Sequence, residues 1–325
     1  MERQIITADY IKTICWKDNL IIDWASGTKF SLEGNDTQFG ESHGYPFDSA
    51  ISSTNGEYAF IYKKLGTKGV LLKNGQILRE INRPYYCAHA YEYPAAIVTV
   101  EGITYLIHCP IAYNQLDFED IETGEIMTNI KGRKPDDRFY SRLEISPDSS
   151  HLMSKGWVWH PLDEVVVFNI RECLNKPQLL DRPQYYPSVG VEICTASFID
   201  NDNIVIGASD EVFDEDEIGN LPPEHISIWD FKKDLLTKPI KVKEKFGNLF
   251  AIDYGRVWDL LHFPKIIDLT TGEILEQINK VNSGKQQSSI INDTTDFPSM
   301  IFNRETKQIA IKMIEQIEIL TPTRL

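Results

Sequence analysis

The residue types that most often do chemistry in proteins are scattered through this chain without the spacing that such chemistry requires. The chain has seven histidines and five cysteines but no His-Glu-x-x-His motif and no Cys-x-x-Cys pair, so a zinc site is not indicated. Neither a Gly-x-Ser-x-Gly nucleophile turn nor a glycine-rich phosphate loop occurs. The sequence therefore predicts no catalytic residue, no metal ligand and no cofactor.

Aromatic and arginine side chains, which dominate the energetics of protein interfaces, are concentrated instead in segments predicted to be loops. A second group of candidates is an acidic stretch at 209–220. The residues predicted to contact a partner are Trp157, Trp159, His160, Arg83, Tyr85, Tyr86, Arg182, Tyr185, Asp210, Asp214, Glu215, Asp216 and Glu217.

Each of these groups also has a simpler structural interpretation. Trp157 and Trp159 alternate, so they can belong to one strand with one indole packed in the core. The paired tyrosines can pack between neighbouring sheets, and the acidic stretch can be a solvated loop. Its aspartates lack the Asp-x-Asp-x-Asp-Gly spacing of a calcium-binding loop.

The elements that would position these loops are short strands in a repeating pattern. Residues 265–275 form two aliphatic runs joined by Thr-Thr-Gly, which is typical of a hairpin because glycine adopts the positive φ of a tight turn. Similar hairpins are predicted at 20–30, 70–78 and 116–126, about 48 residues apart, with copies lacking glycine at 165–170 and 226–231. A period of this length, made of short strands, predicts a β-propeller.

One pair of motifs resembles the WD-repeat family. Ser146-Pro147-Asp148 matches the turn between the first two strands of a WD blade, and Trp229-Asp230 matches the dipeptide that often ends the third strand. The chain lacks the Gly-His dipeptide and most Trp-Asp pairs, so it is similar to a divergent member. The resemblance implies four strands, a to d, in each blade. It also implies that the b–c and d–a loops, which contain the predicted contact residues, share one face.

The predicted blade entries repeat in register with the hairpins. Tyr-Pro or Phe-Pro precedes strand a at four positions, where proline suits the entry to a strand. Together with the hairpins, these entries predict one all-β domain over 1–325 with seven blades, although six or eight remain open. Gln4 to Ile6 are predicted to pair with the C-terminal blade and close the ring.

Composition restricts the partner and the compartment. A formal net charge of −15 argues against nucleic acid and against an anionic membrane surface as partners, since both need a basic protein surface. The five scattered cysteines favour reduced thiols over a disulfide framework. No signal peptide and no run of about 18 apolar residues is apparent. We expect a cytoplasmic protein.

These observations favour a non-catalytic protein-binding scaffold, with an inhibitor or immunity-type protein against a basic target as a narrower variant. The alternative is a hydrolase or lyase whose site is assembled from scattered residues at the mouth of the central channel. Recognition of a small molecule or glycan by the tyrosines is a third hypothesis, for which the sequence offers no distinguishing residue.

Overall fold

Short antiparallel strands make up almost the whole chain, because β-branched and aromatic runs alternate with Gly, Asn, Asp and Pro turns every few residues. The structure is a computed structural model that describes residues 1–214 and 219–323. Within these residues the strands form seven separate sheets in which every strand pair is antiparallel. The prediction of an all-β, seven-bladed propeller is confirmed.

The blades follow one another along the chain, with strands a to d running from the channel outward. Blade one has Cys15–Lys17, Leu20–Asp23, Thr28–Ser31 and Asp36–Gln38, and blade two has Ser49–Ser52, Tyr58–Tyr62, Lys68–Lys73 and Gln76–Asn82. Blade three has Ala96–Val100, Ile103–His108 and Asp117–Asp120, and blade four has a split strand a (Arg138–Phe139 and Glu144–Ile145), then His151–Val158 and Leu162–Asn169. In both, strand d is reduced to one bridging residue, Ile126 or Tyr185.

The last three blades are more regular. Blade five has Val191–Phe198, Asn203–Val212, His225–Asp230 and a split strand d, Leu235–Leu236 and Ile240–Lys241. Blade six has Leu249–Ala251, Arg256–Asp259, Lys265–Asp268 and Ile274–Gln277, and blade seven has Met300–Phe302, Ile309–Lys312, Gln316–Thr321 and Glu2–Thr7. A short helix, Ile170–Asn175, and a 3₁₀ turn, Pro177–Leu180, lie in the connection between strand c of blade four and its bridging residue Tyr185, and they were not predicted.

The hydrophobic core lies between the faces of neighbouring blades. One cluster, for example, joins Cys15 and Ile22 of blade one to Ala50, Ile61 and Leu72 of blade two. Each blade therefore buries its two faces against its neighbours, and the ring needs every blade to complete the core.

Ring closure follows the predicted route. Glu2–Thr7 pairs along its whole length with Gln316–Thr321, and Arg3 donates two hydrogen bonds of 2.8 Å to the carboxylate of Glu318. The N-terminal strand is thus strand d of blade seven, which answers the question of which blade it belongs to.

One predicted alignment is wrong. The hairpin at 20–30 forms strands b and c of blade one, whereas its supposed copies at 70–78 and 265–275 form strands c and d. The turn chemistry is the same in each type, since the main-chain oxygens of Asp23 and Asp268 both accept from the amide of the glycine four residues on. A turn motif specifies how two strands connect, not which strands of a blade they are.

No helix among the described residues is long and apolar enough to cross a membrane. All five cysteines are free, and four of them are buried.

Candidate functional site

The b–c and d–a loops lie at one end of the antiparallel strands, and they contain the most unusual surface of the ring. This surface, the loop face, is formed where blades three, four and five meet. Its described parts are an aromatic cluster, a cleft and the start of the acidic insertion, residues 209–214.

The aromatic cluster brings together side chains from blades three and four. Its members are Tyr86, Tyr91, Tyr113, Phe139, Trp157 and Trp159. Phe139 and Trp157 stack with a centroid distance of 3.7 Å and an interplanar angle of 3°. Trp159 meets both rings edge-on, at 5.4 Å and 5.3 Å.

The two tryptophans have different positions within this cluster. Trp157 is in strand b of blade four and is 4% exposed, whereas Trp159 is in the following turn and is 41% exposed. Tyr86 is 43% exposed beside Trp159. Trp157 is therefore the indole that packs in the core, and the exposed edge of the cluster consists of Tyr86 and Trp159. His160, at the tip of the turn, is also exposed and has a φ of 97°.

Tyr113 is a member that sequence reasoning missed. It stacks on Phe139 at 4.6 Å, and its hydroxyl donates to Asp137 Oδ1 at 2.5 Å. Burial, followed by the hydrogen bond to the Asp137 carboxylate, raises the pKa of Tyr113 to about 12. Tyr91 and Phe139 were also missed as cluster members. For Tyr91 the signal in the sequence was its position two residues before the Tyr-Pro blade entry at Tyr93-Pro94.

Arg83 supports the loop face from below. It is 4% exposed, and its guanidinium donates to the carbonyl oxygens of Gly66, Ala88 and Tyr91 at 2.7, 2.8 and 3.0 Å. Burial lowers the pKa of Arg83 from its ordinary value. Arg83 therefore fixes the d–a loop that presents the largely exposed Tyr85, and it is not itself presented to a partner.

Arg182 and Tyr185 also differ in exposure, since one lies at the surface and the other between two blades. The Arg182 side chain is exposed and its Nε lies 3.6 Å from Asp136 Oδ1. Tyr185 bridges to Val167 of strand c and packs against Phe231 of blade five, so it belongs to the interior between two blades. Its neighbour Tyr186 is exposed at the loop face.

The cleft lies between blades four and five and has a volume of about 770 Å³. Its apolar wall consists of Val158, Leu162, Val165, Val189, Val191 and Ile193. Arg182, Tyr186 and Phe213 also line it, and Phe213 is 54% exposed. Arg138 and Glu164 form a largely buried ion pair in the same cleft. The cleft is thus large enough for an apolar side chain or a short peptide segment.

The acidic insertion adjoins the cleft through Phe213. The amides of Phe213 and Asp214 donate to Gly190 O at 3.0 and 3.1 Å, which fixes the start of the insertion against blade five. Asp210 lies 3.3 Å from Lys245 as an exposed ion pair. The predicted contact residues Glu215, Asp216 and Glu217 lie outside the described residues.

The connection between blades six and seven, residues 278–299, crosses the channel mouth on this face, and sequence reasoning missed it. Gln286 bonds to Asn248 of blade six and to Glu92 at the entry to blade three. Ser289 donates to Asp163 of blade four, and Ile291 N donates to Ala90 O at 2.7 Å. These partners belong to opposite sides of the ring, so the segment spans the mouth. Burial raises the pKa of Asp163 above its ordinary value.

These features bear on the alternative of an enzyme at the channel mouth. A substrate approaching from the loop face would have to displace the segment at 278–299. A cavity inside the channel is lined by residues that include Arg142, Glu144 and Arg304, and among the described residues its lining contains no histidine. In the same described ranges, no group of three or more His, Cys, Asp or Glu side chains is arranged to hold a metal ion.

The fold and this surface define the class of the protein, a seven-bladed β-propeller with a covered channel and a cleft between two blades. No model of a known protein family matches the sequence, and comparison with curated proteins finds no significant match.

Proposed function

We propose that this chain is a protein-binding module that recognises a basic partner through the loop face. The observation that carries the proposal is the arrangement of the cleft, with the exposed edge of the aromatic cluster on one side and Phe213, near the start of the acidic insertion, on the other. Aromatic side chains provide binding energy at interfaces, whereas charges steer encounter and select partners. In this proposal the chain is a divergent WD-like propeller that acts in the cytoplasm.

The exposed aromatic residues and the acidic insertion have different roles in this proposal. Trp159, Tyr86 and Phe213 are exposed although they are large and apolar, so a partner that covers them gains the free energy of removing them from water. The acidic insertion attracts a basic surface over a distance of about one Debye length. An inhibitor or immunity-type protein that blocks a basic target is the narrower form of this proposal.

The first test is capture of the partner from native lysate, followed by titration of the captured protein. Trp159→Ala should weaken binding by about 30-fold or more, because truncation of an aromatic hot spot in an interface costs about 2 kcal/mol or more. Neutralising 214–217 to the corresponding amides should slow association and reduce its dependence on salt. Both variants should unfold at the temperature of the unaltered protein.

The opposite face supplies matched controls. Tyr254 is 54% exposed in the a–b turn of blade six, so Tyr254→Ala removes a comparable aromatic from the other end of the strands. Neutralising Glu125 and Glu305, which are exposed in turns on that face, is the control for charge. If the control variants weaken binding as much as the loop-face variants do, the loop face is not the binding surface.

A further inference from the structure

The central channel contains a partly open cavity, which is distinct from the cleft and has charged and polar side chains in its lining. The cavity has a volume of about 340 Å³ and is lined by residues from the inner strands of several blades. Its charged and polar lining includes Ser49, Tyr93, Arg142, Glu144, Lys155 and Arg304. A cavity of this size accommodates a small metabolite.

Cations outnumber carboxylates on one side of this cavity. Glu144 is paired with two of them, since its carboxylate oxygens lie 2.8 Å from Lys155 Nζ and 2.7 Å from Arg304 Nη2. Burial alone would raise the pKa of Glu144, but Lys155 and Arg304 outweigh it and hold that pKa below its ordinary value. One carboxylate thus compensates two positive charges.

Arg142 adds a third positive charge beside the same group. Its guanidinium donates to Lys155 O at 3.2 Å, to Cys194 O at 3.0 Å and to Asn248 Oδ1 at 3.2 Å. No carboxylate of residues 1–214 or 219–323 lies within ion-pair distance of Arg142. Two other carboxylates line the cavity, Asp48, which is paired with Lys63, and Glu92, which accepts from the amide of Gln286, and Lys64 is a fourth cation in the lining.

Three buried polar atoms of residues lining the cavity have no hydrogen-bond partner in the described chain. They are Ser49 Oγ, Tyr93 Oη and Arg304 Nε. All three can donate, and buried donors in folded proteins almost always have an acceptor. Because the three atoms are themselves covered, they would donate to a group inside the cavity only after a small movement of their side chains.

We propose that the central cavity binds a small oxyanion, a carboxylate or a phosphate of metabolite size. Arg142 and Arg304 would be its main partners, with Lys155 contributing charge and Ser49 and Tyr93 contributing hydroxyl donors. Hydrogen bonds between guanidinium groups and oxyanions are among the strongest in proteins because both partners are charged. The excess of cations is notable within a chain of net charge −15, because the outer surface of such a chain repels anions.

The test is isothermal titration calorimetry of the whole protein with inorganic phosphate and, separately, with citrate, at constant ionic strength. Glycerol serves as a neutral control. We expect at least one oxyanion to bind, and the one that binds identifies the class. Absence of heat and of thermal stabilisation with both anions up to about 10 mM would overturn the proposal, since weaker binding has no specificity.

Two substitutions predict changes of opposite sign. Arg304→Gln should weaken oxyanion binding by about 10-fold or more because it removes a charged donor. Glu144→Gln should strengthen it, because Lys155 and Arg304 lose the carboxylate that competes with the ligand, while the amide oxygen can still accept from Phe198 N. A purely structural role would weaken binding in both variants.

Controls separate loss of binding from loss of folding. Lys155→Met removes a positive charge from the cavity without removing a hydrogen bond from a guanidinium to a main-chain carbonyl. It replaces Arg304→Gln as the test if that variant does not fold. Lys245→Gln removes an exposed cation that does not line the cavity and should leave the affinity unchanged. Equal losses in the Lys245 and Lys155 variants would contradict a site in the cavity.

Discussion

Ile6→Ala should lower the free energy of unfolding by about 2–5 kcal/mol, the range for truncating a large aliphatic side chain in a core. Ile6 is 1% exposed and lies in a cluster with Ile317 and Ile319 of blade seven and Ile14 and Ile21 of blade one. Its removal leaves a cavity at the place where the two ends of the chain meet. Urea unfolding followed by tryptophan fluorescence measures the loss.

Ile5 provides a matched control on the same strand. It is 47% exposed and points to the opposite side of the sheet, so Ile5→Ala should change stability by only about 0.5 kcal/mol. If Ile6→Ala prevents folding altogether, Ile6→Val should still cost about 0.5–1.5 kcal/mol. Equal effects at the two positions would contradict burial of the Ile6 side chain as the source of the lost stability.

The fold could be predicted because it depends on short sequence patterns that repeat along the chain. Turns rich in Gly, Asn and Asp, strand-entry prolines and aliphatic runs recur at a fixed period, and each reports on only a few neighbouring residues. Even the pairing of the chain ends followed from the requirement that a ring leave no open edge. The hairpin at 20–30 shows the limit of such reasoning, because its turn matches the other copies while its place in the blade differs.

The candidate site could be predicted only in part. Residue type and loop position identified Tyr86, Trp159 and Arg182, which lie at the loop face. The same reasoning selected Trp157 and Arg83, which are buried, because the sequence does not reveal where a strand ends or which carbonyls a loop folds around.

The position of the segment at 278–299 could not be predicted, for a different reason. It belongs to no repeat, and its partners at Ala90, Asp163 and Asn248 are distant in the sequence. Contacts of this kind depend on the completed ring, which brings opposite blades close together around the channel. No pattern within the segment itself indicates them.

Lys265→Met should destabilise the protein by about 3–5 kcal/mol at neutral pH, the usual cost of removing one partner from a buried ion pair. Lys265 and Asp259 are 2% and 0% exposed, and Nζ lies 3.1 Å from Oδ2. Among the described residues this Asp259 oxygen has no hydrogen-bond donor, so the ammonium is its main compensation. Without Lys265 an uncompensated carboxylate remains in the core of blade six.

The pH dependence of this loss has a definite sign. Burial raises the pKa of Asp259 above its ordinary value, and Lys265 opposes that rise. In Lys265→Met the folded-state pKa is therefore higher still, and the folded protein binds a proton more readily than the unfolded chain. The deficit should be fully present at pH values above this folded-state pKa and should shrink as the pH falls toward the ordinary value of about 4.

A double-mutant cycle isolates the pair. In Lys265→Met/Asp259→Asn the amide oxygen can still accept from the amides of Gly247 and Leu261, which now donate to Asp259 Oδ1 at 2.9 and 3.0 Å. The double variant should therefore recover a large part of the stability and lose the pH dependence, because no buried carboxylate remains. Lys245→Met, which breaks only the exposed pair with Asp210, should cost less than about 1 kcal/mol. A deficit in Lys265→Met that grew at low pH would show instead that the folded variant does not take up a proton at Asp259.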